Sequence, residues 1–517
     1  MRRILFLFLM ILGSAWLAPA FANWTGSGCF VHEDRPQDST GFLGTIVQLP
    51  VRSADVEIVD ANKSGPKAIL KRGKTDESGC FSLAVTDSTT RTIYVRALTT
   101  STQTSGLLIK VTNPGGAVYA LKSANLANHN PNTNVNWGTL VATVGNGGEA
   151  FNVYDQLKDG SEFAKAIKGT YPSPTVTVKW ASNAGQLGAS YLSGCCTVIL
   201  RDYAAYDDTV ILHEWGHYVE YHYWGNQNPT GTHALAECNQ NLKLAFPEGR
   251  ATWFGNSVKR HLGRGSPNIY LRTTGAAGPG GLQNWFDLEA EQQYACDGYA
   301  SEVAIARAMW DIHDGPGTGD ETPGADDNPP DSLSLADLES WQVNSGPART
   351  ASSITYEAFW DGWFDPTVNN GFLPEMRSAH GGLGMNFQPD LYEPNESAAQ
   401  AQPIASNGGP WQLTFFSDPD GNGKGQADTD VFALSTTAGV PYTVTTFNLV
   451  SDANTNLEIL GTNGTTVLVS NNDCPGFTDG SSCLTWNAPQ TGTYYVRVKH
   501  AADAGIYGSY SLRVTSP

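Results

Sequence analysis

Two histidines four residues apart with a glutamate beside the first, in His213-Glu214-Trp215-Gly216-His217, are the strongest chemical signal in this 517-residue chain. On an α-helix, side chains at i and i+4 share a face, so both imidazoles can bind one metal ion. Glu214 lies about 100° further round the helix and can reach a water on the open side of that ion. By composition alone, an H-E-x-x-H pattern arises in a chain of this length on the order of once in a hundred. The chemistry implied is metal-assisted hydrolysis.

Such a motif needs a helix and a scaffold. Asp207 and Asp208 stand where a helix N-cap is expected, and Val210, Ile211 and Leu212 give it an apolar lead-in. Neither Gly nor Pro follows His217 until Gly225. Upstream, TVTVKW (175–180) and TVILRDY (197–203) read as strands. Strand, strand and metal helix can lay an extended substrate along a sheet edge with its carbonyl toward the ion.

Two protein ligands do not complete a catalytic zinc site; a third is expected, with one position left for water. Glu237 and Glu248 compete for that place. Pro247 is placed to start a helix, and Ala251, Phe254, Val258 and Leu262 form an apolar stripe behind it. Glu248 then falls on the first turn and is favoured over Glu237, which precedes Cys238 and a polar run.

HEWGH followed by PEGRATWFG resembles the gluzincin metallopeptidases. The resemblance implies an α+β, zincin-like domain with His213, His217 and Glu248 as ligands of one catalytic Zn2+ and Glu214 as general base. Thr252 departs from the pattern, standing where many gluzincins have an aspartate that orients a ligand histidine. The developing oxyanion also needs a donor besides the metal; Tyr294, Tyr299, His313 and His380 are the candidates. His222 is on the metal helix but nine residues past His213, one turn too far for a simple site, and His32, His129, His233, His261 and His500 carry no partner spacing and read as ordinary surface residues.

Residues 1–22 read as a secretory signal, with Arg2 and Arg3, an apolar run from Ile4 to Leu12, and Ala20-Phe21-Ala22 before Asn23. The run is short for a membrane span. Losing Arg2 and Arg3 with the leader makes the formal net charge of −19 two units more negative. An acidic chain of this kind repels nucleic acid and anionic membranes and suits a soluble exported protein; protein or peptide substrates are the partners that the metallopeptidase resemblance implies. The expected location is extracellular or periplasmic. Eight cysteines fit an oxidising compartment. Cys29 with Cys80 and Cys474 with Cys483 are the expected outer bridges, and Cys195, Cys196, Cys238 and Cys296 are expected to form two crossed ones.

The length implies a multidomain chain. Residues 23–115 alternate apolar and polar positions around Asp/Ser/Gly turns, and VRSADVEIVDANKSGPKAILKRGKTDESGCFSLAV resembles the carboxypeptidase regulatory-like β-sandwich. Residues 116–388 are the expected metallopeptidase domain. From 389 to 517 the pattern turns all-β, and DLYEPNESAAQAQPI, DTDVFALSTTAGVPYTVTT, TGTYYVRVKH and GSYSLRV resemble the bacterial pre-peptidase C-terminal domain, a sandwich or jelly-roll-like module found beside secreted peptidases. Asp390, Glu393, Asn395, Asp428 and Asp430 are hard oxygen donors that could hold Ca2+, although turn and cap residues of a β domain are the favoured reading. The acidic stretch 314–333 lacks the twelve-residue spacing of a helix–loop–helix calcium site and reads as a solvated loop.

The expected function is a secreted zinc-dependent endopeptidase. Two rivals are a non-enzymatic exported adhesin on a peptidase scaffold, against which the intact Glu214 argues, and a zinc aminopeptidase, for which the chain shows no G-x-M-E-N-like amine anchor.

Overall fold

The structure is a computed structural model describing residues 24–102, 106–192, 196–229, 231–275, 278–289, 294, 296–314, 333–501 and 506–517. The leader expected at 1–22 lies outside the described residues, as does 315–332 of the acidic stretch. The chain is multidomain and largely β, and it divides into two compact units.

The first unit comprises residues 24–32, Pro50–Leu98 and Ala120–Ala142. Trp24–Asp34 alternates buried and half-buried positions, as a strand with one face on a core must. It pairs in parallel with Val135–Ala142 and antiparallel with Cys80–Val85. A second sheet orders Ala120–Lys122, Arg91–Leu98, Asp55–Asp60 and Ile69–Lys74. Trp24, Phe30, Ile58, Phe81, Ile93 and Val95 form its core. Cys29 and Cys80 stand opposite each other in register and are bridged.

The second unit holds the helices, a mixed sheet and the C-terminal β region. The sheet runs Ser190–Leu192, Thr197–Ile199, Val176–Lys179, Ile109–Thr112, Thr100–Ser101. The pairings among Thr197–Ile199, Val176–Lys179 and Ile109–Thr112 are parallel, while the edge strand Ser190–Leu192 is antiparallel. Helix α1 (Gly148–Lys168) is buried along most of its length. Helix α2 (Asp208–Val219) carries HEWGH and continues as a π-helical turn, Glu220–Trp224. Helix α3 (Leu242–Leu262) packs on α2, and α4 (Glu302–Trp310) packs on α3. Shorter helices follow: α5 (Asp337–Ser345), α6 (Pro347–Thr350), α7 (Tyr356–Trp363) and α8 (Leu373–Gly381).

Close approach of α3 to α2 and to α4 depends on glycines at the contacts. A Cβ on Gly216 would sit 2.9 Å from the Cα of Ala251, and one on Gly249 would sit 2.5 Å from the carbonyl oxygen of Glu302. These contacts are tighter than real Cβ atoms show, so larger residues would force the helices apart.

Three local expectations are corrected. Helix α3 begins at Leu242, not Pro247, because the Asn241 side chain accepts from Lys243 N–H and caps it. Pro247 is therefore internal, and Glu248 lies on the second turn. Asp207 stands at the N-cap of α2 without a side-chain cap bond, since Arg201 and Thr273 engage its carboxylate instead. Of the four middle cysteines, Cys238 bonds to Cys296, which removes the crossed arrangement; Cys195 lies outside the described residues. The Cys474–Cys483 bridge is present.

In the C-terminal region, one sheet orders Gln402–Ile404, Thr429–Thr436, Gly492–His500, Thr455–Leu460 and Val467–Asn471. The other orders Trp411–Thr414, Ser509–Thr515, Pro441–Val450 and Cys483–Asn487. Phe432, Leu434, Val444, Leu457, Ile459, Val496, Leu512 and Val514 belong to one core cluster shared by the two sheets. This sandwich is fastened to α7. Glu357 accepts from Ile506 N–H at 2.7 Å and Tyr507 N–H at 2.9 Å, Tyr507 donates to Asp361, and Trp360 donates to the carbonyl of Gly423. Among the described residues, no helix is long and apolar enough to cross a membrane.

Candidate metal centre

The helical period and the close α2–α3 packing bring three donor atoms together. His213 Nε2 and His217 Nε2 are 3.1 Å apart, and each is 3.2 Å from Glu248 Oε2. A tetrahedral ion with bonds of about 2.0–2.1 Å separates its ligands by roughly 3.3–3.4 Å. Two imidazole nitrogens and one carboxylate oxygen are also the kind of donor set a catalytic Zn2+ takes. The residues present therefore fit such an ion. Glu237, the rival acid, is exposed and belongs to none of the His/Cys/Asp/Glu groups close enough to share an ion among the described residues.

The far side of each ring is held. His213 Nδ1 lies 2.9 Å from Thr252 Oγ1, so the residue standing in for the usual aspartate still reaches the ligand. His217 Nδ1 lies 2.8 Å from Glu220 Oε2. An Nδ1–H donated to each partner leaves the Nε2 lone pairs facing inward. Glu220 is itself fixed by Arg250, whose Nε donates to Glu220 Oε1 at 3.0 Å; both side chains are wholly buried. Arg250 also donates to Asn344 and to the carbonyl of Gly225. Asn228 donates to Glu248 Oε1 at 3.3 Å, leaving Oε2 to the histidines.

The electrostatics favour a cation here. Burial opposes charge on Glu248, yet His217 and His213 hold its carboxyl well below the usual range. Burial likewise opposes protonation of His217, and the charges of Glu248 and Glu220 overrule it, raising its pKa well above the usual value. Glu214 is buried beside this cluster, and burial raises its carboxyl against the pull of His217 and His213. Its Oε2 has no hydrogen-bond partner among the described residues.

A cleft of about 520 Å³ opens onto the cluster, lined by His213, Glu214, His217 and Glu248. Gly188, Ala189, Ser190 and Tyr191, in and beside the edge strand, form part of its wall. Strand Ile269–Thr273 forms another part: its alternation buries Ile269, Leu271 and Thr273 and turns Tyr270 and Arg272 toward the cleft.

His233 is one of the residues that sequence reasoning missed. It lies between α2 and α3, with Nε2 3.5 Å from Glu248 Oε2 and Nδ1 2.8 Å from Glu302 Oε2. That bond to Glu302, against the cost of burial, pushes its pKa up to about 9. No spacing rule could have found it, because Glu302 lies 69 residues away. Of the four expected oxyanion donors, only Tyr294 stands near, lining a cavity of about 310 Å³ with His213, His233 and Tyr270. Tyr299 donates to Glu357, His313 is held by Leu335 O and Ser340, and His380 by Tyr356 and Met376 O. Two of the histidines read as surface residues, His32 and His129, are in fact buried.

The acids that could hold Ca2+ also gather. Asp390, Glu393 and Asp430 lie close enough to share an ion, and Asn395 donates to Asp430 at 3.0 Å. Burial, then hydrogen bonding and repulsion from Asp428, push Glu393 up to about 9. Glu393 Oε1, Asn395 Oδ1 and Asp428 Oδ2 have no hydrogen-bond partner among the described residues.

No curated protein matches the chain. Among solved structures, the pre-peptidase C-terminal domain of collagenase from Bacillus anthracis is 17% identical, with a TM-score of 0.17, covering 24% of this chain and 98% of that one. PliG, a periplasmic inhibitor of g-type lysozyme from Aeromonas hydrophila, is 17% identical with a TM-score of 0.16, covering 23% of this chain and 97% of that one. A 9R-lipoxygenase from Cyanothece is 13% identical with a TM-score of 0.15, covering 29% and 25%. The bacterial pre-peptidase C-terminal family model matches residues 428–500, and that domain, with the disulfides, is compatible with an extracellular or periplasmic protein. Residues 428–500 are a bacterial pre-peptidase C-terminal domain.

Proposed function

We propose that this protein is a secreted zinc-dependent endopeptidase with a gluzincin-type α+β catalytic domain built mainly from residues 143–388, preceded by a carboxypeptidase regulatory-like sandwich and a leader at 1–22. The observation that carries this reading is the convergence of His213 Nε2, His217 Nε2 and Glu248 Oε2 beside a buried glutamate with an unpartnered oxygen. When bound, Zn2+ would supply Lewis-acid polarisation of the scissile carbonyl and acidify a water.

The chain's own residues do the rest. Glu214 Oε2 takes the proton of the attacking water and delivers it to the leaving amine. Its raised affinity for a proton suits both halves of that task. His233, kept protonated by Glu302, donates from Nε2 to the developing oxyanion. The edge strand Ser190–Leu192 lets an extended peptide add alongside it, holding the scissile bond over the cluster. In the C-terminal domain, the acids around Glu393 serve as a structural Ca2+ site, which would satisfy the unpartnered oxygens of Glu393, Asn395 and Asp428.

The test is Glu214→Gln in the full chain. It should retain zinc by metal analysis and lose cleavage of a mixed peptide library by at least about 100-fold. Cleavage at the wild-type rate, or cleavage by wild type that a chelator leaves untouched, would reject the reading.

A further inference from the structure

The strand that faces Tyr270 into the cleft also carries Arg272. Arg272 lines both the 520 Å³ cleft and the adjoining 310 Å³ cavity. Its Nε is buried and has no hydrogen-bond partner among the described residues. The contrast with neighbouring arginines is direct: Arg201 is paired with Asp207, and Arg250 with Glu220. Of the acids on the same walls, Glu214 is the proposed base, and the other two already have basic partners. Glu248 faces His213, His217 and Asn228, and Glu302 takes His233.

A buried guanidinium nitrogen without an acceptor is costly, and a planar carboxylate is the acceptor it fits best. We infer that Arg272 binds a substrate carboxylate beside the scissile bond, so that the preferred substrates are peptides bearing an acidic side chain or a free C-terminal carboxylate within a residue or two of the cleaved bond. This inference rests on the peptidase reading, and it names the substrate class.

The test uses the full-length, zinc-loaded protein and three peptides of one sequence: a terminally blocked peptide with Glu flanking the cleaved bond, its Gln isostere, and the Gln peptide with a free C-terminus. One charge-assisted hydrogen bond predicts that kcat/KM for one carboxylate-bearing peptide exceeds that of the blocked Gln peptide by about 10-fold to 100-fold. Which of the two shows the excess tells side chain from terminus. In Arg272→Gln that ratio should fall close to one, and in Arg272→Lys it should be partly kept, which separates recognition from misfolding. Calorimetric binding of the same peptides to zinc-loaded Glu214→Gln reads the preference without turnover. If wild type cleaves nothing while the carboxylate peptide still binds more tightly, the peptidase reading fails and this assignment stands. Equal affinities for all three peptides, or a ratio unchanged in Arg272→Gln, would overturn it.

Discussion

Glu220 joins the metal cluster to the core, and replacing it separates two quantities that usually move together. Its Oε2 lies 2.8 Å from His217 Nδ1 and its Oε1 3.0 Å from Arg250 Nε, with both acid and guanidinium wholly buried. Glu220→Gln keeps the shape and an acceptor for the imidazole but removes the charge. Loss of such an outer partner typically costs about 10–100-fold in metal affinity, or about 1.4–2.7 kcal/mol. Stability should fall further, because Arg250 retains Asn344 and the Gly225 carbonyl but no counter-charge; breaking a buried ion pair costs about 3–5 kcal/mol. Adding Arg250→Met to Glu220→Gln should recover most of the stability without the lost zinc affinity, since the imidazole is still unsupported by charge. Chelator-competition zinc titration and urea unfolding of the metal-free protein measure the two effects. A double variant that binds zinc as tightly as wild type would refute the argument and reduce Glu220 to a packing role.

Glu248→Ala should abolish stoichiometric zinc binding while Glu237→Ala leaves it intact, read by metal analysis after dialysis. Gly216→Val should drive α2 from α3, given the 2.9 Å separation already forced on a single added carbon, costing about 1–3 kcal/mol and weakening zinc binding. Burial pushes Glu357 up to about 7, against its bonds from Ile506, Tyr299 and Tyr507. Because the folded state holds that proton more tightly than the unfolded chain, stability is greatest below the unfolded value near 4.5, falls as pH rises toward about 7, and is flat above. Glu357→Gln should flatten that fall by up to about 3 kcal/mol, seen in denaturation midpoints between pH 4 and 8.

The readable parts of this chain were those whose signals are local. HEWGH needs only helical periodicity, and the strands around Val176–Lys179 and Thr197–Ile199 announce themselves by alternation. The bridges Cys29–Cys80 and Cys474–Cys483 lie within one stretch of strand pattern each. Pro247 misled because proline favours a first turn, whereas the Asn241 cap starts the helix five residues earlier and tolerates it inside. His233, Tyr270 and Arg272 were illegible for a different reason. Their positions follow from which strand or loop faces the cleft, and neither the His233–Glu302 pair nor the orphan guanidinium leaves a trace in spacing.

The turn at 506–507, seated on Glu357, carries a consequence for how such chains are assembled. Tyr507 also lies edge-on to Phe387, which stacks on Trp360 at 4.4 Å. The C-terminal sandwich is thus a keystone for the helical half and not a detachable tag. Trimming it would uncover an aromatic seam and strip a buried acid of two backbone donors. A sandwich grafted from another exported protein would stabilise these helices only if it brought a comparable turn with it.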